Sequence, residues 1–232
     1  MRKFNYDNDL YNFIKDDIKD KLVFDLGSNI GYISKKLTDF NCRCISIEPQ
    51  KSLILNNDNY KNVFAVKNVC ISNMSGMIDF YKCKNHTSSS CSKEWLSHHP
   101  NLKWEKIEVP VTTIDELIKE FGKPKYIKLD IENLEYEALK GLSQRVDIIS
   151  IEYTEGFIDN TIKCIEKLDS FGIKKMYTFT KKKNKKLVNG KLKTIDFYNI
   201  VTEFENKKEV FKYLNSLPKL KRKYQGDLLF KL

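Results

Sequence analysis

The sequence predicts an α/β protein built on a largely parallel sheet. Short apolar runs that read as buried strands alternate with segments of helical periodicity, the pattern of consecutive βαβ units. One run, Leu22-Val23-Phe24, passes through Asp25-Leu26-Gly27 into a tight turn and then a helix. Acidic residues recur where strands end, at Glu48, Asp130 and Glu152, the rim at which open α/β sheets bind ligands.

The elements follow in order. Leu10, Phe13, Ile14 and Ile18 recur at helical spacing within 7–19, with Asp7 or Asn8 as cap, so residues 1–20 carry an N-terminal helix. Leu22–Phe24 reads as a strand buried on both faces. Ile30–Phe40 is a helix with Ile33, Leu37 and Phe40 inward, and Cys44–Ile47 is a second strand ending at Glu48-Pro49. A helix over 51–59 and a strand over Val63–Val66 come next. Asn68–Tyr81 predicts a strand, a turn at Ser75-Gly76 and a return strand. Glu105–Val111 is extended. Thr113 and Glu116 stand at capping-box spacing and open a helix. Tyr126–Ile131 and Ile148–Ile151 are strands flanking a helix over Leu134–Leu142. Thr161–Phe171 is a helix stopped by Gly172. Ile173–Phe179 and Ile195–Val201 form an antiparallel edge pair, and a short helix lies near Lys207–Leu214.

Composition bounds the function. The chain of 232 residues is 41% hydrophobic and has no apolar run near the ~20 residues of a membrane span. Its start, Met1-Arg2-Lys3-Phe4, lacks an apolar signal core, so a single cytoplasmic globular domain over 1–232 is expected. The six cysteines are then expected as reduced thiols. The net charge is +10, yet Arg2, Arg43, Arg145 and Arg222 are the only arginines. Lysine, asparagine and isoleucine share A/T-rich codons, so the lysine excess is a weak signal for nucleic acid. The run Lys181–Lys186 reads as a solvated hairpin tip. Lys82–Trp104 is polar and longer than an ordinary connection, which marks it as functional or mobile. Within it Cys83, His86, Cys91, His98 and His99 are candidate zinc ligands. Their spacing fits no standard zinc pattern, and no metal is expected there.

Three segments carry chemistry. In Asp25-Leu26-Gly27-Ser28-Asn29-Ile30-Gly31, Gly27 and Gly31 let a ligand approach the backbone, and the following helix offers free N–H groups. The third glycine of the dinucleotide fingerprint is missing, which disfavours NAD and FAD. Glu48 lies roughly twenty residues on, where a carboxylate can accept two bonds from ribose hydroxyls. Lys128, Asp130 and Glu132 alternate along a strand and share a face, and Glu152 ends at the same rim. Such a carboxylate cluster is a candidate acid/base site. A purely structural ion network is the competing reading.

Together these segments resemble the FkbM-type methyltransferases, S-adenosylmethionine-dependent enzymes of the class I Rossmann-like fold. The matching stretches are VFDLGSNIGYIS (23–34), CISIEP (44–49), NVCISNMSG (68–76), VPVTTIDEL (109–117), IKLDIENLEYEALKGL (127–142) and IISIE (148–152). Asn133 stands where the family pattern usually has Gly, and Asn tolerates a left-handed backbone better than most residues. The part after 180 shows no match. The resemblance implies a mostly parallel seven-stranded sheet with an antiparallel edge strand and helices on both faces. It also implies S-adenosylmethionine as cofactor and methylation of an oxygen, often on a sugar. Carried over residue by residue, Asp25, Gly27, Ser28, Asn29 and Gly31 would hold the methionine moiety. Glu48 and Pro49 would lie at the ribose, the backbone of Cys70, Ile71 and Ser72 near the adenine, and Asp130 near the methyl. The sulfonium is already activated, so catalysis is alignment plus removal of the acceptor's proton. Asp130 is the preferred base, Glu132 and Glu152 are alternatives, and Lys128 orients the carboxylates. These carboxylates could in principle also hold Mg²⁺. The 82–104 segment is expected to shape the acceptor pocket. Two other readings stand beside this one: an RNA 2′-O-methyltransferase, and a non-catalytic module that keeps the fold for binding.

Overall fold

The computed structural model describes residues 2–6, 10–55, 57–188, 191–217 and 225–232. The chain opens with β1 (Arg2–Tyr6) and α1 (Leu10–Ile18), then alternates through β2 (Leu22–Leu26), α2 (Tyr32–Asp39), β3 (Arg43–Ile47), α3 (Lys51–Ile54) and β4 (Ala65–Lys67). A side branch follows: β5 (Cys70–Ile71), β6 (Gly76–Cys83), α4 (Lys93–Ser97) and β7 (Trp104–Thr112). The alternation resumes with α5 (Ile114–Phe121), β8 (Tyr126–Leu129), α6 (Glu135–Lys140), β9 (Ile148–Thr154) and α7 (Ile158–Asp169). The chain closes with β10 (Lys175–Val188), β11 (Lys191–Phe204), α8 (Lys207–Asn215) and β12 (Gln225–Lys231).

The main sheet has the order β1-β11-β10-β12-β9-β8-β2-β3-β4. Its half from β9 to β4 is parallel, with Phe24 opposite Ile45 on one side and Ile127 on the other. The parallel strands β2 and β8 are almost wholly buried, as expected of strands covered on both faces. One core packs Ile114 and Leu117 of α5, Leu139 of α6, Leu168 of α7 and Leu214 of α8 against the sheet. The opposite face takes Leu10, Ile14 and Ile18 of α1 and Leu37 of α2. Helices therefore cover both faces.

Several expectations change in detail. Residues 2–6 form a strand paired with β11, and the caps proposed at Asp7 and Asn8 lie outside the described residues. The sheet extends beyond seven strands because β11 and β1 continue it past β10. Its antiparallel β12 lies inside the sheet, between β9 and β10. The turn at Ser75-Gly76 does not join paired strands: β7 lies between β5 and β6 in a separate three-stranded sheet. The reason is partner length. β7 pairs with β6 along its whole length, from Gly76 opposite Val111 to Cys83 opposite Trp104, whereas β5 has two residues to offer. Lys181–Lys186 belongs to the strand β10 rather than to a tip, and its side chains lie outside those described. At α5, Thr113 Oγ1 accepts the Glu116 N–H at 3.1 Å, as the capping spacing predicts. The Glu116 carboxylate turns instead to the Thr112 hydroxyl at 2.6 Å and to that of Ser75. Among the described residues no helix is long and apolar enough to cross a membrane.

Candidate active site

Strand order reverses between β2 and β8, and the carboxyl ends of these strands border a cleft of about 1720 Å³. One wall carries Gly27, Asn29, Glu48, Pro49, Cys70 and Ile71; the other carries Asp130, Glu132 and Glu152. Segment 85–102 contributes a further side, including Ser90, Trp95, His98 and His99, and Phe157 and Leu214 also line the cleft.

Gly27, just past the end of β2, packs closely against Asp130, just past the end of β8. It has φ +82°, and a Cβ added there would fall on the Asp130 carbonyl oxygen. Glycine is thus required both for the left-handed turn and for the contact. The neighbouring turn is tied down by Gly27 and Ser28 N–H bonds to the Ile47 carbonyl, 3.0 and 2.9 Å, and by Tyr60, whose hydroxyl donates to the Asn29 carbonyl at 2.5 Å. Gly31, at φ +74°, lies against the Tyr60 ring.

Beneath the rim sits a buried charge group. Asp25 and Lys128 face each other across β2 and β8. The Lys128 ammonium lies 3.3 Å from Asp25 Oδ1 and 3.2 Å from Asp130 Oδ2, and it donates to the Gly27 carbonyl at 3.2 Å. The other Asp25 oxygen accepts from Ser34 Oγ at 2.6 Å. Burial alone would push the Lys128 ammonium down, but Asp130 and Asp25 outweigh it and hold it above its ordinary value. Asp25 is fully buried and Lys128 nearly so, while a third of the Asp130 side chain is exposed to the cleft.

Asp130, Glu132 and Glu152 bring carboxylate oxygens within 4.8 Å of one another, the one such group of possible metal ligands among the described residues. Burial, then repulsion from Asp130 and Glu135, pushes Glu132 up to about 9. Burial and the charges of Asp130, Glu132 and Asp227 likewise raise Glu152, which lies opposite Asp227 across β9 and β12. Near neutral pH Glu132 is thus held in the acid form and Glu152 is shifted in the same direction, while Asp130 contacts the Lys128 ammonium. Glu132 reaches the group because it and Asn133 adopt successive left-handed conformations, φ +55° and +71°. The Asn133 turn survives as its residue type allows; the same conformation at Glu132 is not signalled by the sequence.

On the opposite wall Glu48 is buried and accepts the Asn29 N–H at 2.9 Å and the Gln50 N–H at 2.8 Å. Burial raises it to about 7 against the pull of those two bonds. Asn29 Oδ1 and Glu132 Oε2, buried on either wall, have no partner within the protein.

Segment 82–104 is a folded cover. Trp95 is buried, donates Nε1–H to the Ser88 carbonyl at 2.8 Å and stacks on Phe157 with ring centres 5.3 Å apart. Asn133 Nδ2 donates to Ser92 Oγ and Glu94 Oε2, and Ser90 Oγ donates to the Glu132 carbonyl at 2.7 Å. The candidate zinc residues Cys83, His86, Cys91, His98 and His99 do not converge as a ligand group.

The cleft thus gathers Gly27, Asn29, Glu48, Pro49, Cys70, Ile71, Asp130, Glu132 and Glu152 from the sequence-predicted set. It does not expose Asp25, Ser28, Gly31, Ser72 or Lys128, which lie in the layer supporting it. Ser28 turns its hydroxyl to Tyr60 and Ile47, and the Ser72 N–H bonds to the Thr112 carbonyl. Sequence reading missed Tyr60 and Glu135. Glu135 is buried under the 131–134 turn, accepts the Ile131 N–H at 3.0 Å and is raised to about 7 by that burial. Its one signal was the spacing of acids in Ile131-Glu132-Asn133-Leu134-Glu135.

Among solved structures, similar chains include a precorrin-6Y C5,15-methyltransferase from Geobacter metallireducens GS-15, 12% identical, with 85% of this chain and 87% of that one covered and a TM-score of 0.44. A precorrin 8w decarboxylase from Methanobacterium thermoautotrophicum is 11% identical, with 96% and 87% covered and a TM-score of 0.47. A SAM-dependent methyltransferase from Archaeoglobus fulgidus is 12% identical, with 96% and 91% covered and a TM-score of 0.45. No curated protein matches the sequence. The family model described as the methyltransferase FkbM domain matches residues 25–171, from the aspartate under the glycine turn to the end of α7. That is well over half of the chain, which therefore belongs to the FkbM family of S-adenosylmethionine-dependent methyltransferases.

Proposed function

We propose that the protein transfers the methyl group of S-adenosylmethionine to a hydroxyl oxygen of a sugar or another small molecule, with Asp130 accepting the hydroxyl proton. The observation that carries this is the position of Asp130: on the cleft wall, a third exposed, 3.2 Å from a buried ammonium and beside two carboxyls that burial shifts toward their acid forms.

The residues present fit the cofactor. Gly27 lines the cleft with bare backbone, Asn29 Oδ1 is buried without a partner, and the oxygens of Glu48 keep lone pairs for ribose hydroxyls. Cys70 and Ile71 offer apolar groups on the same wall to an adenine. The cofactor supplies an activated methyl on a sulfonium. The chain's own residues align the acceptor oxygen and remove its proton. Lys128 sets the direction of Asp130 from below. Glu132, as an acid, can donate to a further acceptor hydroxyl, with Glu152 beside it on the same wall, a pattern suited to a polyhydroxylated acceptor.

Labelled S-adenosylmethionine offered with free sugars, nucleosides and RNA tests the acceptor class. Incorporation into RNA alone would replace this reading by a 2′-O-methyltransferase. Asp130→Asn keeps the side chain's size and removes its basicity, so turnover is expected to fall roughly 10²–10⁴-fold with cofactor affinity little changed. A stable Asp130→Asn protein with normal turnover would remove Asp130 as base.

A further inference from the structure

Two of the six cysteines meet at the seam between the cofactor-side wall and the cover. Cys70 Sγ, at the start of β5, lies 3.0 Å from Cys91 Sγ, which follows the bridge between Tyr81 and Ser90. Both residues line the cleft; Cys70 is buried and Cys91 is partly exposed. The pair packs in the small sheet's core, with Cys91 against a cluster that holds Cys70, Phe80, Val109 and Val111.

From this geometry we infer that Cys70 and Cys91 are an oxidisable pair, which a peroxide-class oxidant closes into a disulfide that ties the 82–104 cover to the cofactor-side wall. Closure needs the sulfurs to approach by about 1 Å, from contact to the ~2.0 Å of an S–S bond. The chemistry balances in two steps. The partly exposed Cys91 sulfur attacks the peroxide, an S–O bond forms as the O–O bond breaks, and the products are Cys91 sulfenic acid and an alcohol or water. The Cys70 sulfur then attacks the sulfenic sulfur, the S–S bond forms, and the sulfenic oxygen leaves as water with the Cys70 proton. The two thiols lose two electrons and the peroxide gains them. The hydrogen bond to Cys91, together with burial, keeps Cys70 a thiol until its partner is oxidised. The other four cysteines are placed differently: Cys42 donates its thiol to the Ile18 carbonyl at 3.1 Å, Cys83 is buried at the end of β6, and Cys44 and Cys164 are buried in the cores on opposite faces of the main sheet.

The link spans the cleft boundary, so oxidation holds the cover in its closed position and slows exchange of acceptor. This regulatory consequence rests on the proposed methyl transfer; the disulfide itself does not. The test treats the full chain with hydrogen peroxide, blocks remaining thiols with an alkylating agent, and maps the digest by mass spectrometry. The expected result is one intramolecular peptide pair joining Cys70 to Cys91, reversed by dithiothreitol, with slower protease cleavage inside 82–104. Cys91→Ser should leave Cys70 alkylatable after the same treatment. Cys91 recovered as sulfinic acid, or joined to a second chain, beside a free Cys70 thiol would overturn the inference. So would a Cys70 linked elsewhere in Cys91→Ser. None of these readouts uses cofactor or acceptor, so their failure is separate from any failure of the methyltransferase assignment.

Discussion

Burial outweighs two backbone donors and raises Glu48 to about 7, so a ligand that bonds to its carboxylate would bind with a pH-dependent affinity. If ribose hydroxyls bond to its carboxylate form, binding draws the group below its free value of about 7 and releases a proton. Affinity measured by calorimetry should therefore rise as pH increases through about 7 and then level. Glu48→Gln should flatten that slope, and Glu48→Ala should cost about 1.5–3 kcal/mol of binding. A wild-type slope in Glu48→Gln would move the ribose elsewhere. Glu132 acts on stability instead. Its folded value of about 9 stands above the unfolded 4.5, so the native state keeps a proton that the unfolded chain gives up. That contribution is complete below pH 4.5 and is lost as pH rises through about 9. Glu132→Gln removes it, so the melting temperature of this variant should fall less than the wild type's over the alkaline part of that range. At this scale the sequence showed Glu48, Asp130 and Glu152 as strand-end acids. It did not separate those that face the cleft from Asp25, which points beneath it, because register across β2 and β8 decides that and no local pattern encodes it.

The cover between β6 and β7 is fastened at several points: Trp95 on Phe157, Asn133 on Ser92 and Glu94, Ser90 on the Glu132 carbonyl. Trp95→Ala deletes its largest buried side chain, a change worth about 3–5 kcal/mol in a packed core. The expected outcome is rapid proteolysis within 85–102 and impaired acceptor turnover, while cofactor affinity stays close to wild type. Equal loss of both would show that the cover also supports the cofactor wall. Sequence periodicity located most helices within a few residues, because each buries a stripe with a local repeat. It failed at Ser75-Gly76 and in the cover. In the first, strand order is set by the distant β7; in the second, serines and histidines are buried through bonds to one another and to the backbone rather than through an apolar stripe.

Across the whole molecule, the family match ends at residue 171, yet the main sheet is not complete there. β12 is inserted between β9 and β10 with Leu228, Leu229 and Phe230 fully buried. Burying three such side chains is worth about 5–9 kcal/mol, the scale of a domain's entire stability. Truncation after residue 217 should therefore give insoluble or unfolded protein by circular dichroism, and a folded, cofactor-binding truncation would contradict this. The sequence hid β12 because Leu228-Leu229-Phe230 is short and follows a lysine-rich stretch. Its position also bears on how the protein is made. A ribosome delivers β9 and β10 well before β12, so each waits with an unpaired apolar edge facing the gap that β12 fills. If β9 and β10 pair prematurely, they must separate again before the native order can form. During synthesis the nascent chain is therefore most open to self-association, and most in need of a chaperone, in the interval between the emergence of residue 188 and that of residue 231.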